Sequence, residues 1–284
     1  MWIKILIVLG LVILALGSIV IINRRKFARE NAALVEELFS REDTSSAKTF
    51  TRDDLDGLPA PVKRYFDAAL EEGQPYVKMV RLEQRGEFRL GDRTAPWKPF
   101  IATQHFAVEP PGFVWEARIQ MAPLVPVRVV DSYVSGKGAL RAKVASALTV
   151  ADQAASPELN AGELARYLAE AVWFPTALLP GQGITWVPID DRSARATLEH
   201  GETTVSLIFH FNEHNEVERV YTEDRFREVE GDFEPTPWTG RFWNYQLRNG
   251  MLIPLDGEVA WNLPEGDLAY WRGNIQAIAY ETAR

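Results

Sequence analysis

From Val77 to the C-terminus, apolar and polar residues alternate with a period of two, broken at short intervals by Gly, Pro, Asn and Asp. Successive side chains of an extended chain point to opposite faces, so this rhythm predicts half-buried β-strands joined by tight turns. Candidate strands cover 78–90, 99–109, 113–121, 125–134 and 139–150, then 184–189, 194–199, 203–211, 217–229, 240–248, 251–262 and 267–280. Two stretches depart from the rhythm. In LPAPVKRYFDAALEEG, residues 58–73, apolar Val62, Tyr65, Phe66, Ala69 and Leu70 recur at helical spacing, with Pro59 and Pro61 suiting the first turn and Gly73 the end. In NAGELARYLAEAVWFP, residues 160–175, Asn160 is an N-cap candidate with Glu163 three residues on, and Pro175 stops the helix. Helix, strands, helix, strands predicts a mainly β (α+β) fold: a large curved antiparallel meander or half-barrel under two covering helices. A parallel dinucleotide-binding sheet is excluded, because no β-α-β alternation occurs.

The first thirty residues follow another pattern. Ile5 to Ile22 is a run of eighteen residues without a charge, and Arg24, Arg25, Lys26 and Arg29 follow it. At about 1.5 Å rise per residue such a run approaches the thickness of a bilayer core. The run is longer than the apolar core of a cleaved signal peptide and lacks a clear small-x-small site at its end. The expectation is a single-pass transmembrane anchor over 1–22, a juxtamembrane helix and polar linker over 23–57, and one β-rich domain over 58–284. The basic cluster after the span favours a cytoplasmic body, although a long domain can cross regardless of charge, which leaves the extracytoplasmic face open.

Composition narrows the chemistry. The formal net charge is -8, and no basic cluster follows the first thirty residues, which argues against nucleic acid as a partner. With no Cys there are no disulfides, no thiolate catalysis and no Cys-ligated metal. Four His remain, and two of them fall in His210-Phe211-Asn212-Glu213-His214, which spells the H-x-x-E-H of inverted zinc peptidases. That chemistry needs both His on one helical face. Here Val205, Leu207, Phe209 and Phe211 alternate as a strand, and Asn212–Glu216 reads as a hairpin loop with Asn215 able to turn left-handed. No metal and no cofactor are therefore expected.

Two groups of residues are candidates for a ligand site. The first is on the interrupting helix and its exit: Arg166, Tyr167, Glu170 and Trp173. The second is near the C-terminus: Glu258, Trp261, Trp271 and Arg272. Aromatics with a few charges suit an apolar pocket with groups that orient a polar head; they also suit core packing fixed by a buried ion pair. Three functions stay open. One is a membrane-anchored binding module for a lipid or other amphiphile. Another is a hydrolase using carboxylates such as Glu116, Asp131, Glu170 or Glu258 as acid and base. The third is a structural partner of a membrane complex.

The segments RYLAEAVWFPTALLP, LPAPVKRYF, WKPFIATQHF, GFVWEARI and DSYVSGKG, with PWTGRFWNY, IPLDGEVAWNLP and AYWRG downstream, resemble an uncharacterised bacterial protein family, a domain of unknown function, over roughly residues 57–282. That family supplies no catalytic residues to carry over. The order of elements is also similar in architecture to the half-barrel of periplasmic lipoprotein carriers, which hold acyl chains between a curved sheet and its helices. No sequence motif carries that second likeness.

Overall fold

The alternating segments pair into one sheet. The computed structural model describes residues 2–40, 47–123, 125–144 and 148–282, with side chains at 3, 9 and 12–16 left aside. Among these residues the first six strands are β1 (Val77–Phe88), β2 (Lys98–Ala107), β3 (Gly112–Ala122), β4 (Val125–Val134), β5 (Lys137–Val144) and β6 (Leu148–Gln153). The remaining seven are β7 (Ile184–Asp190), β8 (Ser193–His200), β9 (Thr203–Phe211), β10 (Val217–Val229), β11 (Asp232–Arg248), β12 (Met251–Leu263) and β13 (Gly266–Thr282). Three helices accompany them: α1 (Trp2–Ser40), α2 (Ala60–Ala69) and α3 (Pro157–Glu170). The strand expected over 139–150 is two strands, β5 and β6, and the residues between them, 145–147, lie outside those described.

The sheet is antiparallel and runs β6-β5-β4-β3-β2-β1-β13-β12-β11-β10-β9-β8-β7. It is two local meanders joined in the middle, where the first strand meets the last: Val80 faces Tyr280 and Phe88 faces Trp271. The segment between the two edge strands, residues 154–183, crosses the concave face. There α3 contacts β4 and β5 on one wing and β9 and β10 on the other. After α3 the chain turns through short 3-10 segments, with Pro175 and Pro180 each opening a new one, and every residue from Ala171 to Leu179 is buried. This crossing is the hydrophobic plug of the curl. Phe174 packs on Phe106 at 4.7 Å, and Trp173 meets Phe242 edge-on at 6.4 Å. The helix begins earlier than its sequence pattern predicts. Ser156 is the N-cap, accepting from the Leu159 N–H at 3.1 Å, while the Asn160 side chain accepts instead from the Gly138 N–H of β5.

The two helices before the sheet take different positions. α2 buries Val62, Tyr65 and Phe66 in the same core, with Tyr65 packed on Phe211 of β9 at 5.6 Å. The second half of α1 lies on the convex face of β2, β3 and β4, where Phe27 and Leu38 join Val114, Val130 and Val134 in a separate apolar cluster. Asn31, buried beneath it, donates to Glu116 at 3.0 Å. The transmembrane anchor expected over 1–22 is not found. Among the described residues no helix is long and apolar enough to cross a membrane. The middle of the expected span, residues 12–16, falls outside the described side chains. From Gly17 to Ser40, α1 carries Arg24, Arg25, Lys26, Arg29 and Glu30, and its sheet-facing side includes the polar Asn31.

Candidate functional site

A cavity of about 670 Å³ opens between α3 and the concave face. Strand alternation builds its apolar wall: Ile119 of β3, Val127 and Val129 of β4, and Ala142 and Val144 of β5 all point inward. Its opposite wall is aromatic, with Trp238, Phe242 and Trp271. A row of three glycines, Gly86, Gly273 and Gly257, is paired across β1, β13 and β12. A Cβ added at Gly273 would stand 2.5 Å from the Trp271 ring, so the indole lies against bare backbone.

The end nearest α3 is polar. Trp115 Nε1 donates to Gln84 at 2.8 Å, Gln84 Nε2 to Gln104 at 3.4 Å, and Gln104 Nε2 to Glu170 Oε2 at 2.7 Å. Arg166 ends this chain. Its Nε donates to Glu170 Oε1 at 2.9 Å, and another guanidinium N–H donates to Asp131 Oδ2 of β4. The Arg166 and Asp131 side chains are only 15% and 14% exposed, and the guanidinium also lies over the rings of Phe113 and Trp115. Buried charges are tolerated only when paired, so this constellation fixes the helix on the wing of the sheet. Burial alone would depress Arg166, but Glu170, Asp131 and Glu163 together hold its guanidinium more firmly protonated than usual. Burial holds the carboxyls of Asp131 and Glu170 above the ordinary carboxylate range, and Arg166 offsets that rise only in part. Glu163, one turn earlier on α3 and 6% exposed, is pushed up to about 8, chiefly by burial and then by the negative charge of Asp131.

Among the described residues that line the cavity, four polar groups keep unused hydrogen-bonding capacity. Asp131 Oδ1, Trp173 Nε1 and Trp271 Nε1 are buried without a partner. Arg225 of β10 lines the cavity half-buried, over the rings of Trp238 at 4.6 Å and Trp261 at 5.7 Å, and pairs with no carboxylate. Three of the four are donors, and one carries a positive charge. The arrangement suits an acceptor-rich or anionic group at this end and an apolar chain along the rest.

The eight residues singled out in the sequence divide. Arg166, Glu170, Trp173 and Trp271 meet at the cavity. Tyr167 does not: it turns into the core against Phe106 and Phe174. Trp261 is not a lining residue, but it pairs in register with the lining Trp238 and stacks on the lining Tyr270 at 5.8 Å. Arg272 belongs to the outer face, because it follows the inward Trp271 in β13; it pairs with Glu87 and lies over Trp97 at 4.4 Å. Glu258 borders the cavity through its place in β12, yet its register partners are Arg241 and Arg272, so alternation sends its side chain outward with theirs. Of the other carboxylates considered, Asp131 is at the site and Glu116 is on the convex face, bound to Asn31. Arg225 was not among the candidates, because the β-bulge between Thr222 and Arg225 breaks the alternation that would have marked it as inward. The H-x-x-E-H residues fall across a strand end and a turn. His210 of β9 meets Arg219 at 3.0 Å, Asn215 has φ +63°, and His214 is exposed. Among the described residues no three His, Asp or Glu side chains are grouped to hold a metal ion.

Residues 56–280 match the family of unknown function DUF6920. The chain belongs to that family. No curated protein matches it. Two solved structures are similar at low identity. One is the LolA superfamily protein NE2245 from Nitrosomonas europaea, 12% identical, with a TM-score of 0.38 over 78% of this chain and 93% of that one. The other is a beta-barrel-like protein of the domain of unknown function DUF1849 from Brucella abortus, 11% identical, with a TM-score of 0.28 over 72% of this chain and 99% of that one. Likenesses at this level do not bear on what the DUF6920 chain binds.

Proposed function

We propose that this DUF6920 protein is a binding module for an amphiphile. An apolar tail lies along the wall made by β3, β4 and β5. A hydrogen-bond-accepting head meets Arg225 and the indole N–H groups of Trp173 and Trp271. The observation that carries this reading is a cavity of about 670 Å³ whose apolar wall ends at a half-buried guanidinium without a carboxylate partner. A dry, tightly packed interior would have no such void.

Native mass spectrometry of the purified full chain tests it. A bound mass of lipid size, released on denaturation and lost in Val129→Trp or Ala142→Phe, supports the module. A bare mass, unchanged after incubation with mixed fatty acids and phospholipids, overturns it. One observation favours the hydrolytic alternative: Glu163, held protonated near neutrality, is close to the carboxylate of Asp131. Turnover of ester substrates that vanishes in Asp131→Asn while ligand binding persists would favour that reading.

A further inference from the structure

The convex face carries a row of cations that the cavity does not use. Arg85 of β1, Ile101 of β2, Arg118 of β3, Arg128 of β4 and Lys143 of β5 are successive register partners, so their side chains stand side by side across five strands. Like charges placed opposite one another destabilise a sheet unless something offsets them. Among the described residues neither Arg85, Arg118 nor Arg128 pairs with a carboxylate. Lys143 rests over the Phe27 ring at 5.1 Å. Burial and the positive charges of Arg24 and Arg118 depress the Arg128 guanidinium, while Glu116 only partly offsets them. The row borders an open groove of about 640 Å³ beside α1. All this stands on a chain whose net charge is -8.

Two apolar features share that end of the sheet. α1 runs from Leu38, packed near Gly112 at the start of β3, to Phe27 beside Lys143. Its first half therefore points past the row toward the β3–β4 turn. There Trp2, Ile5, Leu6, Ile7 and Val8 are exposed, and so are Ile19, Ile21 and Ile22. Arg118 and Arg128 each neighbour a cavity residue, Ile119 and Val127, on the opposite face. The cavity rim at this end exposes Leu90 (53%) and Val125 (39%), and Leu148 (66%) and Val150 (55%) follow on the neighbouring edge strand. Scattered exposed apolar residues need no explanation, but a cluster beside a cationic row does.

We propose that this end of the molecule docks on an anionic phospholipid surface, with the Arg85–Arg118–Arg128–Lys143 row on the headgroups and the exposed apolar residues of α1 named above and the cavity rim against the acyl boundary. Cations complement the phosphates, apolar side chains enter the interface, and the cavity mouth faces the lipid. The surface stands independently of what the cavity holds.

Co-flotation of the full chain with vesicles of phosphatidylcholine, with and without phosphatidylglycerol, is the test. Binding should require phosphatidylglycerol and fall steeply in high salt. Removing two exposed cations with Arg85→Gln and Arg118→Gln should weaken it about 25-fold, at a factor of about five per cation. Neither residue is buried, so the circular dichroism spectrum should not change. The cavity-filling Ala142→Phe should keep vesicle binding, which separates failure of this surface from failure of the cavity reading. Equal binding to neutral vesicles, or no loss in the double variant, overturns the proposal. Retention on heparin without flotation would assign the row to a soluble polyanion and would overturn it as well.

Discussion

Glu163 offers the sharpest test of the electrostatics of the buried charge cluster beside the cavity. Its carboxyl is buried, its Oε2 has no partner, and it is pushed up to about 8, while an unfolded glutamate titrates near 4.5. A folded-state value above the unfolded one means that the native protein holds a proton the unfolded chain gives up. Stability contributed by the protonated form is complete below about pH 4.5 and is lost as pH rises toward 8. The loss proceeds at up to about 1.4 kcal/mol per pH unit for one group. Between pH 5 and 7.5 the wild type should lose roughly 3 kcal/mol from this residue alone. Glu163→Gln keeps the shape and removes the titration. The variant should match the wild type near pH 5 and be the more stable at pH 7.5. Urea titrations at half-unit pH steps read this directly. If the difference between the two proteins stays flat with pH, or if Glu163→Gln is the less stable at pH 7.5, then Glu163 is ionised in the native state and the burial argument is wrong.

Other perturbations follow from the same geometry. Arg166→Met leaves Asp131 and Glu170 buried without their cation and should cost about 3–5 kcal/mol. Adding Asp131→Asn and Glu170→Gln should recover much of the loss in thermal melts. Arg225→Gln removes a cation that pairs with no carboxylate, so the fold should be nearly unaffected while ligand retention in the native mass spectrum falls about 10–100-fold. Gly273→Ala places a methyl 2.5 Å from the Trp271 ring and should cost about 1–3 kcal/mol, with a changed near-ultraviolet dichroism band. Trp173→Ala opens the plug and should cost about 3–5 kcal/mol.

The period-two rhythm marked nearly every strand to within a few residues, because one face of each is buried. β4 was legible down to Asp131, which alternates inward with Val127, Val129 and Tyr133. The errors have local causes. β11 begins at Asp232, yet Pro235 and Pro237 hid its first half, since proline reads as a strand breaker. Arg272 looked like a site residue beside Trp271, but neighbours in a strand face opposite ways. Only tertiary pairing could show that the segment 154–183 crosses between the two sheet edges and so brings Arg166 to Asp131. The eighteen-residue apolar run at the N-terminus was plain in the sequence. What the sequence pattern did not show is that the helix carrying it continues onto the sheet and buries Phe27 and Leu38 there.

The pairing of β1 with β13 has a consequence for how the protein is made. Every other strand pair joins neighbours in the sequence, so each meander can zip up as it leaves the ribosome. The central pair closes a loop of some two hundred residues (on the order of the whole domain) and pays the entropy of that closure last. Until the seventeen residues of β13 emerge, the growing chain holds two half-sheets, each with an open edge at what becomes the middle. A stop codon before β13 would not trim the fold at its rim; it would cut the molecule through its centre.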